Sequence, residues 1–172
     1  MVRAVFPGTF DPIHYGHMDI AVRAGRLFDE VIMAVYDRPL KTLMFDPDER
    51  MALVKEAFQD NPKVKVLGYS GLTIDFARKV KAQVIVRGLR VFSDFEFEFR
   101  MALANQRLAT DIETVALITA EQHTFLSSST VKEIATLGGD VSSMVPPFVN
   151  KALRSKVTSL GDQHSPPNAL RD

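Results

Sequence analysis

The feature that most limits how this chain can fold is a regular exchange of two hydrophobic periods: short apolar runs alternate with segments whose apolar residues recur at helical spacing. Val2 to Phe6 is almost wholly apolar and is closed by Pro7-Gly8, the pattern of a strand buried on both faces. Ile20, Ala21, Ala24, Leu27 and Phe28 then fall at helical spacing and predict an amphipathic helix from about Gly16 to Phe28. Val31 to Val35, Val64 to Leu67, Gln83 to Val86 and Val115 to Ile118 predict four more strands. Helices fill the intervals. Asp46-Pro47-x-Glu49 is a capping box with proline at the first helical position, Ile74 to Val80 has helical character, and Ser128 to Leu137 is stopped by Gly138-Gly139. Pro146-Pro147 opens a last helix to about Val157.

Strands that alternate with helices in short βα units imply an α/β fold. The expected architecture is a doubly wound, Rossmann-like sheet of five parallel strands with helices on both faces and right-handed crossovers. With 172 residues the chain suits one domain, expected over 1–157. Thr158 to Asp172 is rich in Ser, Gly and Pro without a period and is expected to be a disordered tail. The 46% of hydrophobic residues supply a core without disulfides, and the absence of cysteine excludes thiol catalysis and cysteine metal sites. A net charge of +0 provides no global field for nucleic acid or anionic lipid, so an anionic ligand has to be caught by local charges. No apolar run reaches the ~18 to 20 residues of a membrane span, and no secretory signal pattern opens the chain. The expected setting is cytoplasmic.

The stretch Phe95-Glu96-Phe97-Glu98-Phe99 alternates like a strand, yet Ser93 stands three residues before Glu96 as in a capping box, and Arg100 to Leu108 is rich in helix formers. A helix is therefore expected. On it Phe92, Phe95 and Phe99 share one face, read as core, while Phe97 and Met101 share another that needs a pocket or a second subunit to cover it.

Ligands of such sheets sit at the C-terminal ends of the strands. That directs attention to residues 9–17, 36–45, 87–92 and 119–129. Neither a G-x-G-x-x-G fingerprint nor a G-x-x-x-x-G-K-[ST] loop is present, which argues against hydride transfer and P-loop hydrolysis. The first strand is followed instead by Pro7-Gly8-Thr9-Phe10-Asp11-Pro12-Ile13-His14-Tyr15-Gly16-His17. The glycines permit close approach of backbone to ligand, and the helix starting near Gly16 aims unsatisfied N–H groups into the same space. His17 stands at that anion site.

An H-x-G-H element after a T-F-D loop on a first βα unit resembles the nucleotidyltransferases that join a nucleoside monophosphate to a phosphorylated acceptor. Three further motifs narrow the resemblance: Arg87-Gly88-Leu89-Arg90, Asp94-Phe95-Glu96-Phe97-Glu98 and Ser127-Ser128-Ser129-Thr130-Val131-Lys132-Glu133. In order and spacing, from Val2 to about Val157, they look like the bacterial phosphopantetheine adenylyltransferase family. The resemblance implies transfer of the adenylyl group of ATP to 4'-phosphopantetheine, yielding dephospho-coenzyme A and pyrophosphate in coenzyme A biosynthesis, with Mg2+ carried by the ATP phosphates. It also implies a homohexamer and feedback inhibition by coenzyme A.

Carried over residue by residue, the resemblance makes His17, Thr9, Lys41 and Arg90 catalytic. His17 donates to the α-phosphate and Thr9 orients the attacking phosphate. Lys41 and Arg87 hold the acceptor phosphate, with Leu72, Thr73 and Asn105 near the pantetheine arm. Arg90 and the helix start at Ser128-Ser129 grip the β and γ phosphates. Thr9, which also touches ATP, joins Phe10, Gly88, Leu89, Glu98 and the segment His123, Thr124, Phe125, Leu126, Ser127, Ser128, Ser129 in the ATP pocket. A phosphomonoester is largely dianionic near neutral pH, its second pKa being about 6, so no strong general base is required. Positioning and charge neutralisation carry such a reaction.

The same residues have structural readings. Ser127 to Ser129 serve equally as an N-cap, Arg87 and Arg90 as solvated strand-end charges, and Asp11 and Glu98 as structural carboxylates or an acid/base pair. His14 and His17 have metal-ligand spacing, but without cysteine and with only His123 and His164 besides, a zinc site is disfavoured. Two positions depart from the family pattern: His14 stands where threonine is common, and Phe97 where tyrosine is. The alternatives are a sister nucleotidyltransferase acting on nicotinamide mononucleotide or glycerol phosphate, and a non-catalytic nucleotide-sensing module.

Overall fold

In the computed structural model, residues 1–38 and 43–162 are described, the last three by their backbone alone. Five parallel strands form one sheet: β1 (Arg3–Gly8), β2 (Glu30–Tyr36), β3 (Val64–Tyr69), β4 (Val84–Leu89) and β5 (Glu113–Ile118), in the spatial order β3-β2-β1-β4-β5. The helices are α1 (Tyr15–Leu27), α2 (Pro47–Ala57), α3 (Thr73–Lys79), α4 (Phe92–Leu108), α5 (Ser128–Thr136) and α6 (Pro147–Asp162). Every strand and helix expected from the sequence is present. The doubly wound class is therefore the observed one.

Register explains why β1, β2 and the first half of β4 are so apolar. Ala4, Val31 and Val84 lie abreast, as do Val5, Ile32 and Ile85 one residue further on. Successive side chains point to opposite faces, so the first set enters a core with Ile20 and Ala24 of α1, Val54 of α2, Val131 of α5 and Leu153 of α6. The second set meets Ile74 and Ala77 of α3, Ala109 and Ile112. Both faces are thus covered, as a parallel sheet requires. The strand order reverses between β1 and β4, which opens a crevice at their C-terminal ends.

Caps follow the sequence at some helices and not at others. The α2 capping box forms, Asp46 accepting from the Glu49 N–H and Glu49 from the Asp46 N–H, both at 2.8 Å. Ser127 caps α5 by accepting from the Thr130 N–H. The expected Ser93–Glu96 box does not form: α4 begins at Phe92, so Ser93 is already helical and the N-cap is Val91, whose apolar side chain accepts nothing. The Phe92, Phe95 and Phe99 stripe, expected to be core, is exposed. Phe92 is 89% accessible and α4 has no buried residue, since the helix lies over the outer strands β4 and β5 with that stripe turned away from the sheet. At the other end α6 continues past Val157 to Asp162, with Thr158 and Ser159 hydroxyls donating to the carbonyls of Arg154 and Lys156. Residues 163–172 lie outside the described residues.

Candidate active site at the β1–β4 crevice

A cavity of about 470 Å³ occupies the crevice, walled by β1 and the turn after it, the start of α1, the ends of β2, β3 and β4, α4, and the turn into α5. Its floor depends on one glycine. A Cβ at Gly8 would meet the Phe10 ring at 2.7 Å, so the ring folds back over β1 only because position 8 has no side chain. Phe10 reaches that place with φ at 51°, in the left-handed region that non-glycine residues seldom adopt. Its ring then abuts His17 edge-on, centroids 5.0 Å apart.

The two histidines form a reciprocal cap. His14, the N-cap of α1, accepts from the His17 N–H through Nδ1 at 3.3 Å, and His17 Nδ1 accepts from the His14 N–H at 3.3 Å. With Nδ1 accepting, Nε2 is the ring nitrogen left to carry a proton in each. The rings stack with centroids 3.7 Å apart. His14 is only 4% exposed, and burial, aided by the charges of Arg90 and His123, pushes its pKa down to about 3. His14 is accordingly neutral at any physiological pH.

Both arginines of the R-G-L-R motif, Arg87 within β4 and Arg90 just after it, are held at two points by carboxylates one turn apart on α4. Arg87 Nε and Nη2 donate to Glu98 at 2.7 and 2.6 Å, and Nη1 donates to the Pro7 carbonyl. Arg90 Nε and Nη2 donate to Asp94 at 2.9 and 3.0 Å, and Nη1 donates to the Leu126 carbonyl. These contacts keep two cations at the cavity wall. Arg90 also holds the Asp94 carboxyl below its ordinary value against the opposing effect of burial.

Asp11 is structural. It is 1% exposed and accepts from the Lys132 ammonium and from the Met44 and Phe45 N–H groups, joining the first loop to α5 and to the segment ahead of α2. With Asp11 and Glu98 both committed to cations, neither is arranged as half of an acid/base pair.

Of the residues singled out from the sequence, Thr9, Phe10, His17, Thr73, Arg87, Gly88, Arg90, Glu98, Leu126, Ser127, Ser128 and Ser129 line the cavity together. Leu89, Leu72, Asn105, His123, Thr124 and Phe125 are not among its lining. Of these Leu72 and Phe125 are largely exposed, and His123 stacks on Tyr15 instead. Lys41 lies outside the described residues. The lining also includes Tyr36, Asp94 and Thr119, which lie in the loops and motif marked in the sequence but carried no site role there, and Tyr69, which lies outside them. Tyr69 ends β3, whose terminus was passed over, and the rule that ligands meet strand C-terminal ends would have found it. Its hydroxyl lies 3.0 Å from Thr73 Oγ1 and its ring 5.1 Å from Tyr36, so these residues form an aromatic wall opposite the serine turn. Among the described residues no group of three His, Asp or Glu is placed to hold a metal ion.

Comparison with known proteins agrees with this geometry. The cytidylyltransferase-like family model matches residues 5–134. A phosphopantetheine adenylyltransferase of Roseiflexus castenholzii is 56% identical over 154 residues, covering 90% of this chain and 96% of its own. One from Methylococcus capsulatus is 51% identical over 160 residues, covering 93% and 99%. A solved structure from Vibrio parahaemolyticus, provisionally assigned as a nicotinate-nucleotide adenylyltransferase, shares the fold with a TM-score of 0.68 at 21% identity, covering 90% of this chain and 99% of that one. The chain belongs to the cytidylyltransferase-like family and, within it, to the phosphopantetheine adenylyltransferases.

Proposed function

We propose that this chain transfers the adenylyl group of ATP to 4'-phosphopantetheine, giving dephospho-coenzyme A and pyrophosphate. The observation that carries this reading is the convergence, in one cavity at the β1–β4 crevice, of residues from all four motifs. It is supported by relatives of that name at 56% and 51% identity over most of the chain.

An oxygen of the acceptor phosphate attacks the α-phosphorus as the bond to the β-phosphate breaks, and pyrophosphate leaves. The acceptor lies on the side of Thr9, Tyr36, Tyr69, Thr73 and Arg87, and the family resemblance assigns Lys41 to the same phosphate. The ATP lies on the side of His17, Gly88, Arg90 and Ser127 to Ser129. Arg90 offers its guanidinium to the β and γ phosphates, and the free N–H groups at the start of α5 do the same. His17 is the donor for charge that grows on the α-phosphate. Mg2+ accompanies the polyphosphate: the cavity's carboxylates, Asp94 and Glu98, are engaged by arginines, so the ion is held by phosphate oxygens in this reading.

The reading extends to the setting of the enzyme. No helix among the described residues is long and apolar enough to cross a membrane, and a cytoplasmic location is proposed. A homohexamer is proposed as well, supported by the exposed apolar side chains of α4, which need covering. Coenzyme A contains both halves of the product and, in this proposal, inhibits by occupying the same cavity.

Pyrophosphate release tests the reaction. ATP should support it with 4'-phosphopantetheine far better than with nicotinamide mononucleotide or glycerol phosphate, and better than CTP does. Preference for another acceptor would make the chain a sister transferase, and ATP binding without turnover would make it a sensing module.

A further inference from the structure

Arg50 of α2 is 0% exposed, and the residues that the reaction uses do not include it. Its guanidinium makes no ion pair among the described residues. It donates instead to four main-chain carbonyls: Nη1 to Thr9 at 2.8 Å and to Tyr36 at 2.6 Å, Nε to Phe45 at 3.2 Å, and Nη2 to Asp37 at 3.3 Å. Burial pushes its pKa down, opposed by the charges of Asp11, Asp37 and Asp46, so the cation is partly compensated at a distance. Burying a charge where an apolar side chain would fill the space costs stability. The return is geometric, because a planar fork with fixed donor directions sets the relative positions of the segments it bonds.

Two of those segments contribute to the acceptor wall. Thr9 follows β1, Tyr36 ends β2 with Asp37 just after it, and Phe45 leads into α2. Thr9 and Tyr36 both line the cavity, and one nitrogen, Arg50 Nη1, bonds both of their carbonyls. Phe45 is tied from its other side, its N–H donating to Asp11 at 2.9 Å. None of the described bonds of Arg50 reaches β4, the R-G-L-R turn or the serine turn.

We infer that Arg50 is a positioning residue for the acceptor phosphate: it sets the spacing of Thr9 and Tyr36 from beneath the cavity and leaves the nucleotide side untouched. This rests on the reaction proposed above, in which Thr9 faces the acceptor.

The test is a comparison of Arg50→Lys and Arg50→Met with the wild type, measuring KM for acceptor and for ATP and calorimetric binding of each alone. Small displacements of a positioning group can cost up to about 100-fold. The acceptor KM and Kd should rise about 10-fold or more in Arg50→Met and less in Arg50→Lys, while the ATP values stay within about twofold. Arg50→Lys, which keeps a donor and a charge beneath the same carbonyls, serves if Arg50→Met does not fold. Equal changes for both substrates, or lower thermal stability with both unchanged, would overturn the inference. The split is read on whichever phosphorylated acceptor the wild type uses, so a wrong substrate appears in the wild type and a wrong role for Arg50 only in the variants.

Discussion

Arg87 and Glu98 meet through two parallel hydrogen bonds of 2.7 and 2.6 Å at the cavity wall, so the guanidinium assigned to the acceptor phosphate already holds a carboxylate. A phosphate arriving there competes with Glu98 for the same fork. Glu98→Gln removes one negative charge at nearly constant shape. It should tighten binding of the acceptor by roughly 3- to 10-fold, a modest part of the difference between charged and neutral hydrogen bonds. Isothermal calorimetry reads this directly. Weaker acceptor binding would show that Glu98 aims Arg87 and does not oppose it.

His14 makes acid stability sensitive to one buried ring. Its pKa is 6.5 in the unfolded chain and about 3 in the folded one. Between those values the unfolded chain binds a proton that the folded chain refuses, so stability falls as pH drops below about 6.5. From about pH 7.5 to about pH 5 the loss from this ring alone is ~2 kcal/mol, at 1.36 kcal/mol per pH unit. His14→Asn keeps an N-cap acceptor without the titration. Urea unfolding of both proteins at the two pH values should show a wild type that declines more steeply, and equal slopes would contradict the buried neutral ring.

His17 and Arg90 should separate in their kinetics. A donor aimed at growing charge acts mainly in the transition state, so His17→Ala should lower kcat by ~10² to 10³ with ATP binding nearly unchanged. In the proposed reaction Arg90 contacts the ATP phosphates in both the ground and transition states, so Arg90→Ala should raise the ATP KM as well as slow turnover. Loss of ATP affinity in proportion to rate in His17→Ala would make His17 a ground-state ligand.

The face of α4 predicts assembly. Phe95 and Phe99 stack at 5.7 Å and are about half exposed, beside Phe92, which is almost wholly so. Sedimentation at about micromolar concentration should show an oligomer, shifted toward smaller species by Phe95→Asp combined with Phe99→Asp. A monomeric wild type would contradict this.

The central strands were legible because β1 and β2 are buried on both faces and read as nearly continuous apolar runs, and the crevice because Gly8, Gly88 and the T-F-D and R-G-L-R motifs fall at or just after strand C-terminal ends. The α4 stripe was not. A helix turned apolar side outward has the same period as one turned inward, and sequence spacing does not say which face meets the sheet. Arg50 was invisible for a related reason: its partners are carbonyls of residues 9, 36, 37 and 45, and backbone acceptors leave no mark in the sequence. The Asp94 and Glu98 clamps lay within a quoted motif, yet the motif's spacing alone did not tell that each carboxylate would hold an arginine from β4 or the turn after it.

The central claim is the pairing of ATP with 4'-phosphopantetheine in this cavity, and a competition experiment tests it most directly. Wild-type protein is given ATP, Mg2+ and equal amounts of 4'-phosphopantetheine, nicotinamide mononucleotide and glycerol phosphate, and the adenylylated products are separated by mass. Dephospho-coenzyme A should account for nearly all of the product, appearing in step with pyrophosphate. A dinucleotide or an adenylylated glycerol phosphate as the main product, or no product beside intact ATP, would contradict the account.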